Sequence, residues 1–519
     1  MSKRVLALLF CFLFYPAIGR TVDLPAQTAP FLSLRGAVAR GLQANLDLQA
    51  GAEQVPSAAA GVQAAAGRFD PQLFASASAG SERVPPAEDY VAEFERQYTA
   101  AIGLQQLFRS GFSGELTLSS EHLQDDSPIN TLSPQNRVYL ILDLTQPLLR
   151  DCGIEVNTTE ERLSRNELAQ STERYVDRAR QLGGAIEAAY LRLCLARERL
   201  ILRTEARLLS ADLLTGNRQK FSSGIIPVSE VQEAETALAS RDEQVIAARQ
   251  EQETAVNTLL DLLEIPVDDP LRSSTLTTET IPGVMETTPD RVEALRRALE
   301  QRPDLAAARL AVAARDVQLR YARNQTLPRL DLQATLGLNG LGGNSTGLSP
   351  TDDEGNMFDA AERMAQRDGY QWYTGVRFSY PLGNRTARAR ARQAESGKKQ
   401  AIFALKRLED TIDTEVRNAL VAVSRSWERT LVAERYRSLA NLTLKQEETR
   451  LKEGLSDTFH ILKFQDDLIE AKLAKLNALV DYRLGLANLY QVMGTNLSRD
   501  GILLWTPGAE TRVGSLTEN

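Results

Sequence analysis

The chain has 519 residues, 43% of them hydrophobic and 25% charged, with aromatics at only 6%. That balance excludes a disordered chain and a helical membrane protein, and its wealth of Ala, Leu, Arg, Glu and Gln favours long helices over compact cores. A net charge of −8 excludes the basic surface of a general nucleic-acid binder.

The first element, residues 1–19, reads as a targeting segment. Lys3 and Arg4 precede an apolar run from Val5 to Phe14, followed by Pro16 and the small-residue end Ala17-Ile18-Gly19. This pattern predicts a secretory signal peptide cleaved near Gly19. The run is well short of the roughly 20 residues that span a bilayer. Phe10 before Cys11 is too bulky for a lipoprotein cleavage site. Beyond it only Cys152 and Cys194 remain. On one continuous helix they would lie about 60 Å apart, which rules out a disulfide.

The remainder reads as one unit written twice. Ala37-Val38, Gly41-Leu42 and Leu48 fall opposite Ala294-Leu295, Ala298-Leu299 and Leu305, and Pro71-Gln72-Leu73 falls opposite Pro328-Arg329-Leu330. Further on, Gly224, Val231, Glu235, Leu238, Leu259 and Leu263 match Gly454, Ile461, Gln465, Leu468, Leu489 and Met493. The offset shrinks between these regions, so the first half carries an insertion of about 25 residues between Pro71 and Pro147. The first repeat spans 20–266, with strands over about 72–147 and a helical hairpin over about 156–265. A Thr- and Pro-rich linker follows at 267–290. The second repeat spans 291–496, with strands over about 329–380, a hairpin over about 386–493, and a tail at 497–519.

Within each unit, a helix of roughly 30 residues ends at a proline, strands follow, and a Pro-Leu step opens a helix on the order of 100 Å long. Gly224 with Pro227, and Gly454 with Ser456-Asp457, end those helices and turn the chain back. Helices of this length pack lengthwise, as in a coiled coil or tube.

The strands alternate strictly. From Arg329 to Asn339 the apolar face is Leu330, Leu332, Ala334, Leu336, Leu338; from Arg137 to Gln146 it is Val138, Leu140, Leu142, Leu144. From Tyr370 to Tyr380, Trp372, Thr374, Val376 and Phe378 oppose Gln371, Tyr373, Gly375, Arg377 and Ser379. About ten alternating residues is what a transmembrane β-strand requires. A soluble sandwich needs a second sheet, and long helices separate these few strands. Tyr370, Trp372, Tyr373, Phe378 and Tyr380 are candidates for the interfacial girdle. Gly340-Leu341-Gly342-Gly343 is no phosphate cradle, since no Lys-Ser/Thr follows, and Asp352-Asp353-Glu354-Gly355 lacks calcium-loop spacing.

At this point the chain resembles the TolC-like outer-membrane efflux protein family. Gln146-Pro147-Leu148-Leu149-Arg150 followed by Asn157, and Tyr380-Pro381-Leu382-Gly383-Asn384-Arg385 with Arg388 and Ala391, are similar to its two strand-to-helix steps. Phe221-Ser222-Ser223-Gly224 through Glu235, and Leu451-Lys452-Glu453-Gly454 through Gln465, are similar to its two hairpin tips, and Tyr482 through Met493-Gly494-Thr495 to its last helix. The resemblance implies a mainly α fold with β: a duplicated helix-strand-strand-helix-helix unit in a homotrimer. Its transmembrane β-barrel in the outer membrane is continued by a periplasmic α-helical barrel. Four strands per subunit, twelve in all, are implied. Here Tyr98–Leu107 and Ser113–Ser120 also alternate, either as an extra hairpin or as bent continuations of one long strand.

The resemblance also implies a passive exit duct for a tripartite efflux or type I secretion system. Its partners would be a periplasmic adaptor (membrane fusion) protein, an inner-membrane pump of RND, ABC or MFS type, and outer-membrane lipid. No cofactor, metal or nucleic acid is implied. Gly224, Val228, Ser229, Glu230, Gly454, Ser456 and Asp457 occupy the tip positions that would touch the adaptor, with Ser229 and Glu230 placed for restraining polar contacts. Leu451 and Ser456 depart from the family's aromatic and basic residues there. His460 and Lys463 fall where the family carries acidic aperture residues, which predicts a less cation-selective opening. Arg385, Arg388, Arg390 and Arg392 read as a solvated helix start near anionic headgroups. With two histidines and no catalytic set in view, an enzyme is excluded. The rival is a soluble periplasmic coiled-coil adaptor or scaffold, which leaves strands of membrane-spanning length unexplained.

Overall fold

The computed structural model describes residues 31–85, 91–266, 268–269, 272, 277–279, 286, 290–348, 352–499 and 501–502. The expected signal peptide, most of the linker and most of the tail lie outside the described residues. After the two-residue strand Phe31–Leu32, the described residues run through helices α1 (Leu34–Ala44) and α2 (Leu46–Ala66), then strands β1 (Gln72–Arg83), β2 (Phe94–Leu107), β3 (Ser113–Asp125) and β4 (Leu132–Pro147). The hairpin α3 (Thr159–Ser222) and α4 (Val228–Leu262) follows. The same order recurs as α5 (Arg291–Gln301), α6 (Pro303–Asn324), β5 (Arg329–Ser345), a short helix α7 (Met357–Gln366), β6 (Gly369–Ser379), α8 (Arg385–Lys452) and α9 (Thr458–Val492).

The single helix expected before each set of strands is two helices, and the reason is local. Asn45 leaves the helical region at φ −63°, ψ 122°, and its side chain accepts the Leu48 N–H, so it ends α1 and caps α2. In the second unit Arg302 is extended and Pro303 opens α6, where its missing N–H costs nothing. Pro56, by contrast, sits inside α2 without ending it.

Helix α3 has 64 residues and α8 has 68, so each is about 100 Å long. Their burial explains how they pair. One core joins Ala37, Val38, Leu48, Tyr175, Ile186, Leu259 and Leu263 from α1 to α4; the other joins Ala294, Ala298, Leu305, Ile412, Val416, Leu489 and Met493 from α5 to α9. Residues matched across the two halves of the sequence thus occupy corresponding places in two cores. Among the described residues no helix is long and apolar enough to cross a membrane.

These six strands form one sheet in the order β1-β2-β3-β4-β5-β6, every neighbour antiparallel, and Phe31–Leu32 pairs separately with Thr277–Thr278. Strands β4 and β5 are longer than the alternation alone indicates, with 16 and 17 residues. The segments around 98–120 are two separate strands: Gly111, at φ +92°, turns the chain between them. They are therefore an added hairpin, and each unit joins its sheet to its helices at the same end. There the Asn324 side chain accepts the Asp151 N–H at 2.9 Å, and Asn384 donates to the Thr326 carbonyl at 2.9 Å. The end of α6 thereby fixes both strand-to-helix steps. At the other end α7, held by a capping box between Asn356 and Asp359, lies on β5 so closely that a Cβ on Gly340 would stand 2.0 Å from the Ala360 carbonyl oxygen.

Candidate functional site

Two regions concentrate the residues singled out in the sequence: the far ends of the helical hairpins, and the faces of the sheet.

At the hairpin ends, Gly224 and Gly454 adopt φ +72° and +73°. That left-handed step lets the Ile225 N–H reach back to the Lys220 carbonyl and the Leu455 N–H to the Arg450 carbonyl, at 2.9 and 2.8 Å. Both long helices end this way, with their last carbonyls satisfied. Pro227 then opens α4, with Val228 and Ser229 exposed in its first turn, while the Asp457 side chain caps α9 by accepting the His460 N–H. Ser456 donates to Glu447 at 2.6 Å, so the position where a basic residue was expected makes a local contact within the second tip.

Glu230 makes a polar contact from the first tip to the second. Its carboxylate accepts the Thr458 hydroxyl at 2.7 Å, and Asn217 donates both to Thr458 Oγ1 at 2.8 Å and to the Glu230 carbonyl at 3.2 Å. Asn217 and Thr458 are 3% and 2% exposed, so this three-residue knot ties the first tip to the second away from water. Neither Asn217 nor Thr458 was singled out in the sequence. The signal was there for Asn217: it continues the buried stripe Ala206, Ser210, Leu214 at helical spacing, where a polar residue needs a partner. Above the knot the two hairpins meet along a polar seam, with Arg241 paired to Asp466, Arg203 to Glu470 at 3.2 Å, and Arg199 bonded to Asn477 at 2.7 Å.

The two aperture candidates differ in their surroundings. His460 Nδ1 lies 2.7 Å from Asp457 Oδ1. The Asp457 carboxyl is held below its ordinary value by the His460 backbone N–H and ring. Any charge on His460 is thus balanced within the same turn. Lys463 is exposed one turn further along α9.

On the sheet, the register aligns one apolar row across every strand: Leu73, Leu104, Leu116, Leu142, Leu336 and Trp372. Tyr370, Trp372 and Phe378 lie on this face and are 64–73% exposed. Tyr373 departs from the girdle grouping: it lies on the opposite face, with its ring across Gly375. That face carries Asp143, Gln333 and Arg377, and Asp143 accepts the Thr335 hydroxyl. Among the described residues no His, Cys, Asp and Glu cluster suited to a metal ion occurs.

Comparison with known proteins agrees with this geometry. A model of the outer membrane efflux protein family matches residues 294–495. None of the curated protein sequences matches significantly. Among solved structures, the chain is similar to a membrane protein from Pseudomonas aeruginosa at 19% identity and TM-score 0.65, covering 92% of each chain. It is similar to the CmeC outer membrane channel of Campylobacter jejuni at 18% identity and TM-score 0.62, covering 89% of this chain and 86% of that one. The open-state MtrE outer membrane channel of Neisseria gonorrhoeae gives 16% identity and TM-score 0.60, with 89% of each chain covered. Residues 294–495 thus match the outer membrane efflux protein family, and the chain that carries them has the fold of the CmeC and MtrE outer membrane channels.

Proposed function

We propose that this protein is the outer-membrane exit duct of a tripartite efflux or type I secretion system, a passive channel through the outer membrane and periplasm. The observation that carries this reading is the sheet: membrane-length strands with one continuous apolar face, joined at one end only to helix pairs about 100 Å long. Such a face has no internal partner and fits lipid.

The working form is a homotrimer. Helix α6 lies on α8 of its own unit and also on α3 of the other, and α9 does the same. Their counterparts α2 and α4 pack on α3 of their own unit. Repeating the same contact around an axis places α8 of the next copy beside them, a head-to-tail interface that closes into a ring. Exposed Val421, Val432, Leu439 and Leu442 on α8 fit that seam. At the tips, exposed Ile225, Val228, Leu455 and Phe459 suit an adaptor protein, with Gly224, Ser229, Gly454, Ser456 and Asp457 framing them. An inner-membrane pump of RND, ABC or MFS type supplies the energy, and the duct does no chemistry.

The test is fractionation followed by reconstitution. The mature chain should sediment with outer membranes, require detergent for release, and conduct ions in planar bilayers. Recovery in the aqueous periplasmic fraction without detergent would return the reading to a soluble coiled-coil scaffold.

A further inference from the structure

We propose that the added hairpin β2–β3 is a full-height part of the membrane wall, so that the barrel closes on eighteen strands, six from each of three copies. This rests on the trimeric duct proposed above and concerns how wide its outer end is.

The first support is register. The apolar row passes through the hairpin without a break, and so does the next one, in which Ala75, Ile102, Leu118, Leu140, Leu338 and Tyr370 align. Ile102, Leu104, Leu116 and Leu118 are 41–48% exposed on that face, as a lipid-facing surface requires. The opposite face of the hairpin is polar: Thr99, Gln105, Glu115, Thr117, Ser119 and Glu121. A hairpin projecting above the membrane would have no reason to keep its apolar side level with Leu142 and Leu336.

The second support is height. Strands β2 and β3 have 14 and 13 residues, more than the 9–11 or so that cross a bilayer at barrel tilt. Their lower turn is fastened where the helices begin. Ser110 accepts the Gly153 N–H at 3.1 Å, and Arg109 pairs at 3.3 Å with Glu161, a carboxylate in the first turn of α3 that is only 4% exposed. The hairpin therefore reaches the level at which β4 hands over to α3.

The third support is the pair of free edges. Strand β1 leaves the helical end and β6 returns to it, so β1 of one copy meets β6 of the next antiparallel. The two strands have 12 and 11 residues, matched in length. Pairing them removes every open edge, which a lipid-embedded sheet must do. Barrel diameter grows roughly linearly with strand number, so this wall is about 1.5 times as wide as a twelve-stranded one at equal tilt. Six strands stand over the starts of only two long helices per copy, and the tube flares where they meet.

Two measurements on the full-length protein test this. Cryo-electron microscopy of detergent-extracted particles should show threefold symmetry and eighteen strands in the membrane section. In lipid vesicles, a fluorophore on Ile102→Cys should be quenched at least twofold more strongly by brominated acyl chains than by aqueous iodide. Thr99→Cys should show the reverse. A threefold particle with twelve strands in its wall, or equal aqueous quenching at both positions, overturns the proposal and leaves the duct standing. A particle without threefold symmetry or a membrane-embedded end overturns the duct reading itself.

Discussion

Asn217 near the end of α3 and Thr458 at the start of α9 share a 2.8 Å hydrogen bond that water does not reach, and it joins the tips of two different hairpins. Charged pairs register the hairpins further along, and at the tips this buried bond and its Glu230 partner register one on the other. Buried polar pairs of this kind select an arrangement more than they add stability.

Asn217→Ala is therefore expected to loosen the tip. It leaves Thr458 without its donor in a buried site, at a cost of about 1–3 kcal/mol. Taken against the tied form, that shifts the balance toward separated tips by roughly 5- to 150-fold. Single-channel recording should show longer or larger openings, and Thr458→Val should do the same. The double variant should fall short of the sum, because both remove one contact. Strictly additive effects would mean the pair is not coupled.

Gly224 and Gly454 need positive φ and nothing else, since a Cβ at either would meet no atom within 4 Å. The cost of replacement is backbone strain alone. Gly224→Val should destabilise its hairpin end by about 1–3 kcal/mol, whereas Gly224→Asn, whose side chain tolerates this region, should cost far less. Limited proteolysis at the tip separates the two. Equal sensitivity in both variants would show that the conformation is not being held.

The alternation predicts opposite consequences for neighbouring residues on β5. Leu336→Arg puts a charge on the apolar face and should cost about 2–4 kcal/mol near the bilayer centre. Gln333→Arg, on the polar face, should fold into vesicles like the parent. Heat-modifiable mobility on gels reports the folded barrel. Normal folding of Leu336→Arg would reverse the assignment of faces.

Much of this was legible because period and punctuation carry it. The alternation at Leu330–Leu338 placed β5, and Gly224 and Gly454 placed both tips. The mismatch in offset between the two halves located an insertion that proves to hold the β2–β3 hairpin. What escaped was non-local. Nothing near Thr458 announces Asn217, which is 241 positions away. The break at Asn45 was hidden because the hydrophobic spacing runs through it, and only a side-chain cap ends α1 there. Tyr373 was grouped with the girdle by residue type, although its parity already put it on the other face.

The far end of α6 from the sheet, where it meets the middle of α8, supplies a pH test. Arg302, 9% exposed, bridges Asp304 at 2.7 Å and Glu415 at 2.5 Å, fastening α6 to α8. Burial alone would raise the Asp304 carboxyl, but the Arg302 guanidinium outweighs it and holds the group below its ordinary 3.8. A carboxyl depressed in the folded state adds stability above its unfolded pKa and loses it as pH falls through the folded one. Asp304→Asn should therefore cost about 1–3 kcal/mol at pH 7, the worth of a hydrogen bond to a charged group. The gap from the parent should narrow as pH drops below 3.8. Urea denaturation of the purified protein across that range measures it. A gap that stays constant would mean the charge on Asp304 does not hold the Arg302 contact.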